Sequence, residues 1–505
     1  MTLKKYRVVN RHRWFIVLSM IIWVSGLSGN GRIPLAPSTA QAGNSIIYVH
    51  AGATGGSNSG DSWANAYTSL QTALTNAVSG QEIWVAAGVY KPTDSPADRD
   101  ATFPLKNGVA VYGGFAGTET ALNQRNWDNN RSILSGDIDN NDIHTSGVVA
   151  DANHINGANS YHVVTGNGTD NTAILDGLII TAGQANDTSD SCPEGCGGGL
   201  YLRNSMASLR NIIFSGNRAD ENGGGLYTWD GSHPTLTHVT FSGNYALWGG
   251  GIANWGGNLN LTNVTFSQNR AVHEGGGMTG WSANPSLTNV RFIGNSVTWY
   301  GGGMYNDRDT TPVLTNVIFS GNRAESGGGL YNWDGSSPIL TNVTFSGNHA
   351  TNAGGGLYNR DNSNPLILNS IFWNNQDNSG IGTASASIYN WNSVNFPSTP
   401  AIYFSLVQGC NPGSIWVSDC GTDGGDNLAD TNPLFVTTPN PILTPTTTGN
   451  LRLQASSPAI NMGNNDFIPD GVTTDLNGWL RIIDTAVDLG AYEFAPSIFL
   501  PIVVR

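Results

Sequence analysis

Charge is what this 505-residue chain has least of: Asp, Glu, Lys and Arg make up only 11% of it. Six of the 22 basic residues, and none of the 36 acidic ones, lie before residue 43, so the remainder carries a net charge of −20. A chain this acidic lacks the electrostatic footprint for nucleic acid or an anionic membrane. Long amphipathic repeats are missing as well. Between glycine-rich turns there are only short alternating segments, such as Leu340, Val343 and Phe345 with polar residues between, which excludes helical repeats. The L-x-x-L-x-L pattern of a leucine-rich repeat is absent, and the glycine triplets are followed by Leu, Ile or Met where a calcium-binding β-roll would continue with G-x-D. Cysteine is limited to two local pairs, Cys192/Cys196 and Cys410/Cys420. Neither pair has metal-ligating partners nearby, and in an exported chain both read as disulfides stapling loops at the two ends of the central region. His233, His238, His273 and His349 fall at different places and make no cluster.

What the chain does have is glycine, 65 residues of it, and a beat. Triple glycines begin at Gly197, Gly223, Gly249, Gly275, Gly301, Gly327 and Gly354, 26 or 27 residues apart. A phenylalanine followed three places later by asparagine keeps the same period, from Phe214/Asn217 to Phe372/Asn375. A period of this size signals a solenoid or propeller, and short strands joined by tight turns make it a parallel β-helix, one coil per repeat. Glycine allows sharp turns and close backbone approach. The Leu, Ile or Met after each triplet points into the tube, and corner asparagines stack on those of the next coil through amide hydrogen bonds. Coils stacked at roughly 4.8 Å bring equivalent residues of successive repeats side by side.

The paired GGG-[LIM] and F-x-x-N motifs resemble the repeats of polymorphic outer membrane proteins and, more broadly, of bacterial right-handed parallel β-helix proteins. The resemblance covers about Gly197 to Asn375. It implies an all-β, right-handed parallel β-helix at the cell surface or beyond it; as evidence of activity it is poor.

The flanks divide the chain further. Lys4, Lys5, Arg7, Arg11 and Arg13 precede an apolar run from Trp14 to about Leu27 and then Ala40-Gln41-Ala42, the layout of a secretory signal peptide over residues 1–42. Residues 43–190 form an N-terminal cap and the first coils. Here Leu70, Ala73, Leu74 and Ala77 lie on one face of a short helix expected to close the tube, and the order of elements resembles the start of pectate-lyase-like β-helix proteins. In the loop 135–142, Asp137, Asp139, Asn141 and Asp142 are candidate calcium ligands, or else turn-forming residues of a polar loop. The regular repeats occupy 191–379. Residues 380–494 hold terminal coils and a region whose segments NPLF, LRLQASSPAINMG, DLNGWLR and VDLGAYEF resemble the choice-of-anchor domains of bacterial surface proteins. Asp466, Asp470, Asp475 and Asn477 in that region are a second calcium candidate. The apolar tail 495–505 is too short to span a bilayer, so no transmembrane segment is expected in the mature chain.

Aligned on their glycines, the coils expose two outward columns. Four places after the third glycine stand Trp229, Trp255, Trp281, Asp307, Trp333 and Arg360; two places earlier stand Tyr227, Ala253, Thr279, Tyr305, Tyr331 and Tyr358. If the residue after the triplet faces inward, alternation sends both columns out. Trp229, Trp255, Trp281, Trp333 and Tyr331 are then candidates for stacking on sugar rings of a polysaccharide or cell-surface glycan; the alternative is that the rings merely stack on one another along the solenoid. One place further on stand Asp230, Gly256, Ser282, Arg308, Asp334 and Asp361, so adjacent coils gather Asp307, Arg308, Asp309, Asp334, Arg360 and Asp361 into a patch, with Asp334 and Asp361 roughly 5 Å apart. Carboxylates at that spacing suit a retaining hydrolase, and carboxylates with arginine suit a calcium-assisted lyase. A solvated ladder of alternating charge explains the same residues. Beyond residue 42 only Lys91 and Lys106 remain, so a lyase base would have to be an arginine, and the adjacent aspartates of β-helix pectin hydrolases are absent. The sequence favours a non-enzymatic surface protein that binds glycan, with a polysaccharide lyase or hydrolase, or a structural spacer, as alternatives.

Overall fold

The computed structural model describes residues 46–187, 192 and 194–495. The signal-peptide reading and all of the apolar tail except Ala495 lie outside them. Among the described residues no helix is long and apolar enough to cross a membrane.

One coil shows how the repeat folds. After the triplet at Gly327, strands form at Leu330–Asn332, Ile339–Thr341, Thr344–Ser346 and His349–Ala353. Strands of three to five residues are what alternating segments bounded by Gly, Asn and Asp permit. Each strand pairs in parallel with its equivalent in the next coil: Leu330 with Leu357, Leu340 with Ile367, Phe345 with Phe372. The chain is therefore the expected right-handed parallel β-helix, with sheets of 13, 11, 10 and 9 strands. The first glycine of each triplet sits at positive φ, +66° at Gly327, a region open to glycine at no steric cost. A Cβ on the second glycine, Gly302, would lie 2.3 Å from the Gly328 carbonyl, so coil-to-coil spacing itself demands glycine there.

Inside, identical places stack. Leu200, Leu226, Ile252, Met278, Met304, Leu330 and Leu357 form one buried column, and Phe214, Phe241, Phe266, Phe292, Phe319, Phe345 and Phe372 another. The corner asparagines form the ladder foreseen from the sequence. Asn217, Asn244, Asn269, Asn295, Asn322 and Asn348 each donate Nδ2–H to the Oδ1 of the next, ending on Asn375, at 2.9–3.1 Å. The same amides donate to the Phe-column carbonyls, as from Asn295 to Phe266, so these buried polar groups are satisfied.

The short helix Leu70–Asn76 stands at the start of the tube, N-capped by Ser69, with Leu70, Ala73 and Leu74 buried in the common core. The two remaining flanks fold back over the turn after the Phe strand. From the N-terminal side, Ala152 N–H bonds to the Gly243 carbonyl and Ser215 Oγ to that of Val149. From the C-terminal side, Thr446 N–H bonds to the Gly321 carbonyl, and Asn374 donates to Pro439. Further along, Arg291 donates to the Leu476 carbonyl, and Asn342 to that of Asp488. The C-terminal strap is pinned by an ion pair between Arg481 and Glu493, each 1% exposed, with Arg481 Nη1–H also donating to Asn316 Oδ1 at 3.0 Å.

Candidate functional site

Strict register builds the outward columns. Ala253 pairs with Thr279, Thr279 with Tyr305, Tyr305 with Tyr331 and Tyr331 with Tyr358. In the second column Arg203 pairs with Trp229, Trp255 with Trp281 and Trp281 with Asp307. Because Asn359 pairs with Asn390, the place after Arg360 belongs to Trp391, a member that counting from glycines misses.

The tyrosines point away from the core yet are buried. Tyr331, expected at the surface, is 1% exposed. The segment leading into the next triplet folds over the column, so that Trp248, Tyr300 and the Cys192–Cys196 loop pack on it. Tyr331 stacks on Tyr358 at 4.6 Å and lies 4.9 Å from Tyr300. The tyrosine column is broken at Ala253 and Thr279, and there Trp281 drops into the gap and is buried. Its indole N–H donates to Glu274 Oε2 at 3.1 Å. Trp281 therefore presents no free face.

Trp229, Trp255, Trp333 and Trp391 stay within reach of solvent, Trp255 38% exposed and Trp391 42%. Guanidiniums lie over their rings: Arg203 over Trp229 at 5.3 Å, Arg308 over Trp255 at 4.9 Å, and Arg360 over both Trp333 at 5.2 Å and Trp391 at 5.5 Å. These contacts fix the indoles and leave a ridge of ring edges and charged groups. At its C-terminal end the ridge runs into a cleft of about 610 Å³ lined by Tyr389, Asn390, Trp391, Ser385 and Asp419 among others.

The acidic patch has a backbone cause. Asp230, Gly256, Ser282, Arg308, Asp334 and Asp361 all adopt φ between +49° and +69°, where Asp and Gly are favoured over most residues. Asp361 accepts from Arg360 Nε at 3.1 Å and from the Trp333 indole N–H at 2.7 Å. Asp307 faces Arg308 at 3.6 Å and is buried, which pushes its carboxyl up. Asp334 and Asp309 are exposed. Sequence reasoning overlooked Glu274, whose carboxyl burial and the nearby Asp307 push up to about 7.

Neither calcium candidate draws its ligands together. Asp137 accepts the Asn141 N–H, Asp139 the Ala158 N–H, and Asp142 the Asn156 N–H and the Asn159 amide. Asp475 is buried and accepts from the N–H groups of Asn477, Trp479 and Glu493, while Asp466 and Asp470 are exposed. Among the described residues no group of three or more His, Cys, Asp or Glu side chains is placed to hold a metal ion. Both disulfides are present, Cys192–Cys196 and Cys410–Cys420.

Fold and columns together define a right-handed β-helix protein, and residues 176–342 match the family model described as the right handed beta helix region. Residues 342–360 match the model described as the Chlamydia polymorphic membrane protein repeat, so one stretch of the repeat region is similar to a repeat of that type. Among solved structures it is similar to the pectate lyase Pel9A, with 14% identity over 89% of this chain and 96% of that one, at a TM-score of 0.40. It is also similar to the pectin methylesterase PemA from Erwinia chrysanthemi, at 11% identity over 76% and 93% of the two chains, TM-score 0.28. No curated protein matches it.

Proposed function

We propose that this is an exported, surface-displayed or released β-helix that binds neutral polysaccharide along its tryptophan ridge and has no catalytic role. The observation that carries the proposal is the in-register column of indoles leading into the cleft beside Tyr389 and Trp391. Indole faces and edges pack on the apolar C–H faces of pyranose rings, and the flanking polar groups take hydroxyls. Carboxylates of Asp230, Asp307, Asp309, Asp334 and Asp361 outnumber the guanidiniums of Arg203, Arg308 and Arg360 on this ridge, which disfavours polyuronates. The charge of the whole chain likewise disfavours nucleic acid. Two disulfides, the polymorphic-membrane-protein repeat and the signal-like start support export.

Affinity electrophoresis of the full chain in gels containing soluble neutral polysaccharides tests the reading. Replacing Trp229, Trp255 and Trp333 together by Ala is expected to weaken retention at least tenfold; unchanged retention would sink the proposal. In the catalytic alternative Asp334 and Asp361 turn the substrate over. That reading is disfavoured by Asp361's commitment to Arg360 and Trp333. Glycan chains shortened by the wild type but left intact by Asp334→Asn/Asp361→Asn would restore it.

A further inference from the structure

The turn that leads from the 11-strand sheet into the 9-strand sheet carries a feature that the tryptophan ridge does not use. The turn after each Phe strand repeats one left-handed residue: Gly216, Gly243, Gln268, Gly294, Gly321, Gly347 and Asn374, with φ between +56° and +66°. Glycine occupies this place at five of the six turns on which a strap lies; at the sixth, Asn374 donates its amide to the Pro439 carbonyl of the strap. A Cβ would meet the Val149 carbonyl at Gly216 and that of Ala150 at Gly243; it would meet Thr446 at Gly294 and Gly321, and Pro439 at Gly347. Gln268 breaks the series and is exposed. It marks the coil at which the N-terminal strap has ended and the C-terminal strap has not begun.

Beside that gap lies a cleft of about 670 Å³, with Asn153 of one strap and Pro445 of the other on its rim. Its floor is the outer face of the 9-strand sheet: Tyr245, Arg270, Ser296 and Arg323 are equivalent places on successive coils. Val272 and Thr298, also in the lining, each precede a ring of an aromatic ridge in which Trp248, His273 and Trp299 lie 4.7 and 4.4 Å apart with their rings tilted. Trp299 is 44% exposed, and the His273 Nδ1 is buried without a hydrogen-bond partner. The charges of this face cancel. Arg270 pairs with Asp151 and Arg218 with Asp220, while Arg323 shares the floor with Glu325. What remains is a neutral surface with donors and acceptors in comparable supply, lined by the Tyr245 ring and bordered in sequence, one residue past Thr298, by the exposed indole of Trp299.

We propose that this cleft is a second binding site for a neutral glycan chain, on a different sheet from the tryptophan ridge, so that one molecule holds two chains. The bivalency rests on the ridge reading above; the cleft does not. A cleft of this size falls in the range that encloses a small ligand. Exposed aromatic rings give sugar rings a stacking platform, while Arg323, Glu325 and the hydroxyls of Ser296 and Thr351 supply the directional bonds. Two sites on a rigid rod give avidity and cross-linking.

The test mixes the full chain with a soluble neutral glucan, a xylan and a galactomannan, following light scattering for cross-linking and affinity electrophoresis for retention. Wild type is expected to raise the scattering of at least one mixture. Trp299→Ala/Arg323→Gln should abolish that rise and leave residual retention. Because Arg323 also donates to the Thr444 carbonyl of the strap, Thr351→Trp, which fills the cleft from an exposed position, should do the same without touching that bond. If both cleft variants scatter and bind as wild type while the ridge variant loses retention, the cleft is overturned and the ridge stands. If cleft variants lose all retention and the ridge variant loses none, the cleft stands and the ridge reading falls. Retention by polyuronate alone overturns both.

Discussion

Two aromatic ladders run along this solenoid, one inside and one outside, and they obey different rules. The inner phenylalanines stack at 4.4–5.0 Å with interplanar angles of 2–12° in every coil. The outer tyrosines vary from 4.6 to 5.7 Å and from 8° to 47°, and two coils replace them with Ala253 and Thr279. Inside, close packing on all sides leaves one side chain and one rotamer that fit. Outside, the covering segment and the neighbouring column adjust, as Trp281 and Glu274 do where tyrosine is missing. The inner ladder sets the structure, and the outer one is free to be shaped by what the surface contacts.

The largest effect should come from breaking the inner ladder. Phe292→Ala removes a fully buried ring flanked by Phe266 and Phe319 and should cost about 3–5 kcal/mol in denaturant unfolding. A loss below about 1 kcal/mol would mean that the inside is as adaptable as the outside.

The repair at Trp281 makes an intermediate, pH-dependent prediction. Glu274 ionises at about 7 in the fold against 4.5 in an open chain. Its penalty is therefore absent below pH 4.5, grows as pH rises to 7 and is constant above. Glu274→Gln keeps an acceptor for the Trp281 N–H and should stabilise the protein by about 1–2 kcal/mol at pH 8 with no gain at pH 4. Thermal melts at the two pH values check this; equal gains at both would place the cause elsewhere.

The smallest change belongs to the outer rim. Trp255→Ala should shift stability by about 1 kcal/mol or less, read from the same unfolding curves. A loss as large as that at Phe292 would make the ridge a structural element.

The inner ladder was legible in the sequence because its residues recur with the glycine beat, and so were the asparagine ladder and the cap helix with Leu70, Ala73 and Leu74. Burial of Tyr331 was not, because it depends on a covering segment that no periodicity reveals. Trp391 escaped because the helix Ala384–Ser387 stands where a glycine triplet would be, which breaks the count. Glu274 carries no motif; only the gap at Ala253 and Thr279 hinted that something must fill it. The straps were hidden for another reason. Arg291 meets Leu476 across 185 residues, a separation at which local pattern says nothing. Asp334 and Asp361 sit at a left-handed turn position, which the sequence shows only as an excess of Asp and Gly.

The Gln268 turn also bears on how such a molecule changes length. Among the described residues the N-terminal strap ties to the solenoid as far as Arg270, and the C-terminal strap from Arg291 onward. Between them neighbouring coils meet only each other, and every coil offers the same edge to the next. A duplicated coil of 26 residues inserted there would lengthen the rod by roughly 4.8 Å without displacing either strap. The uncovered turn is thus a natural growth point, where reach from the surface is adjustable in whole coils.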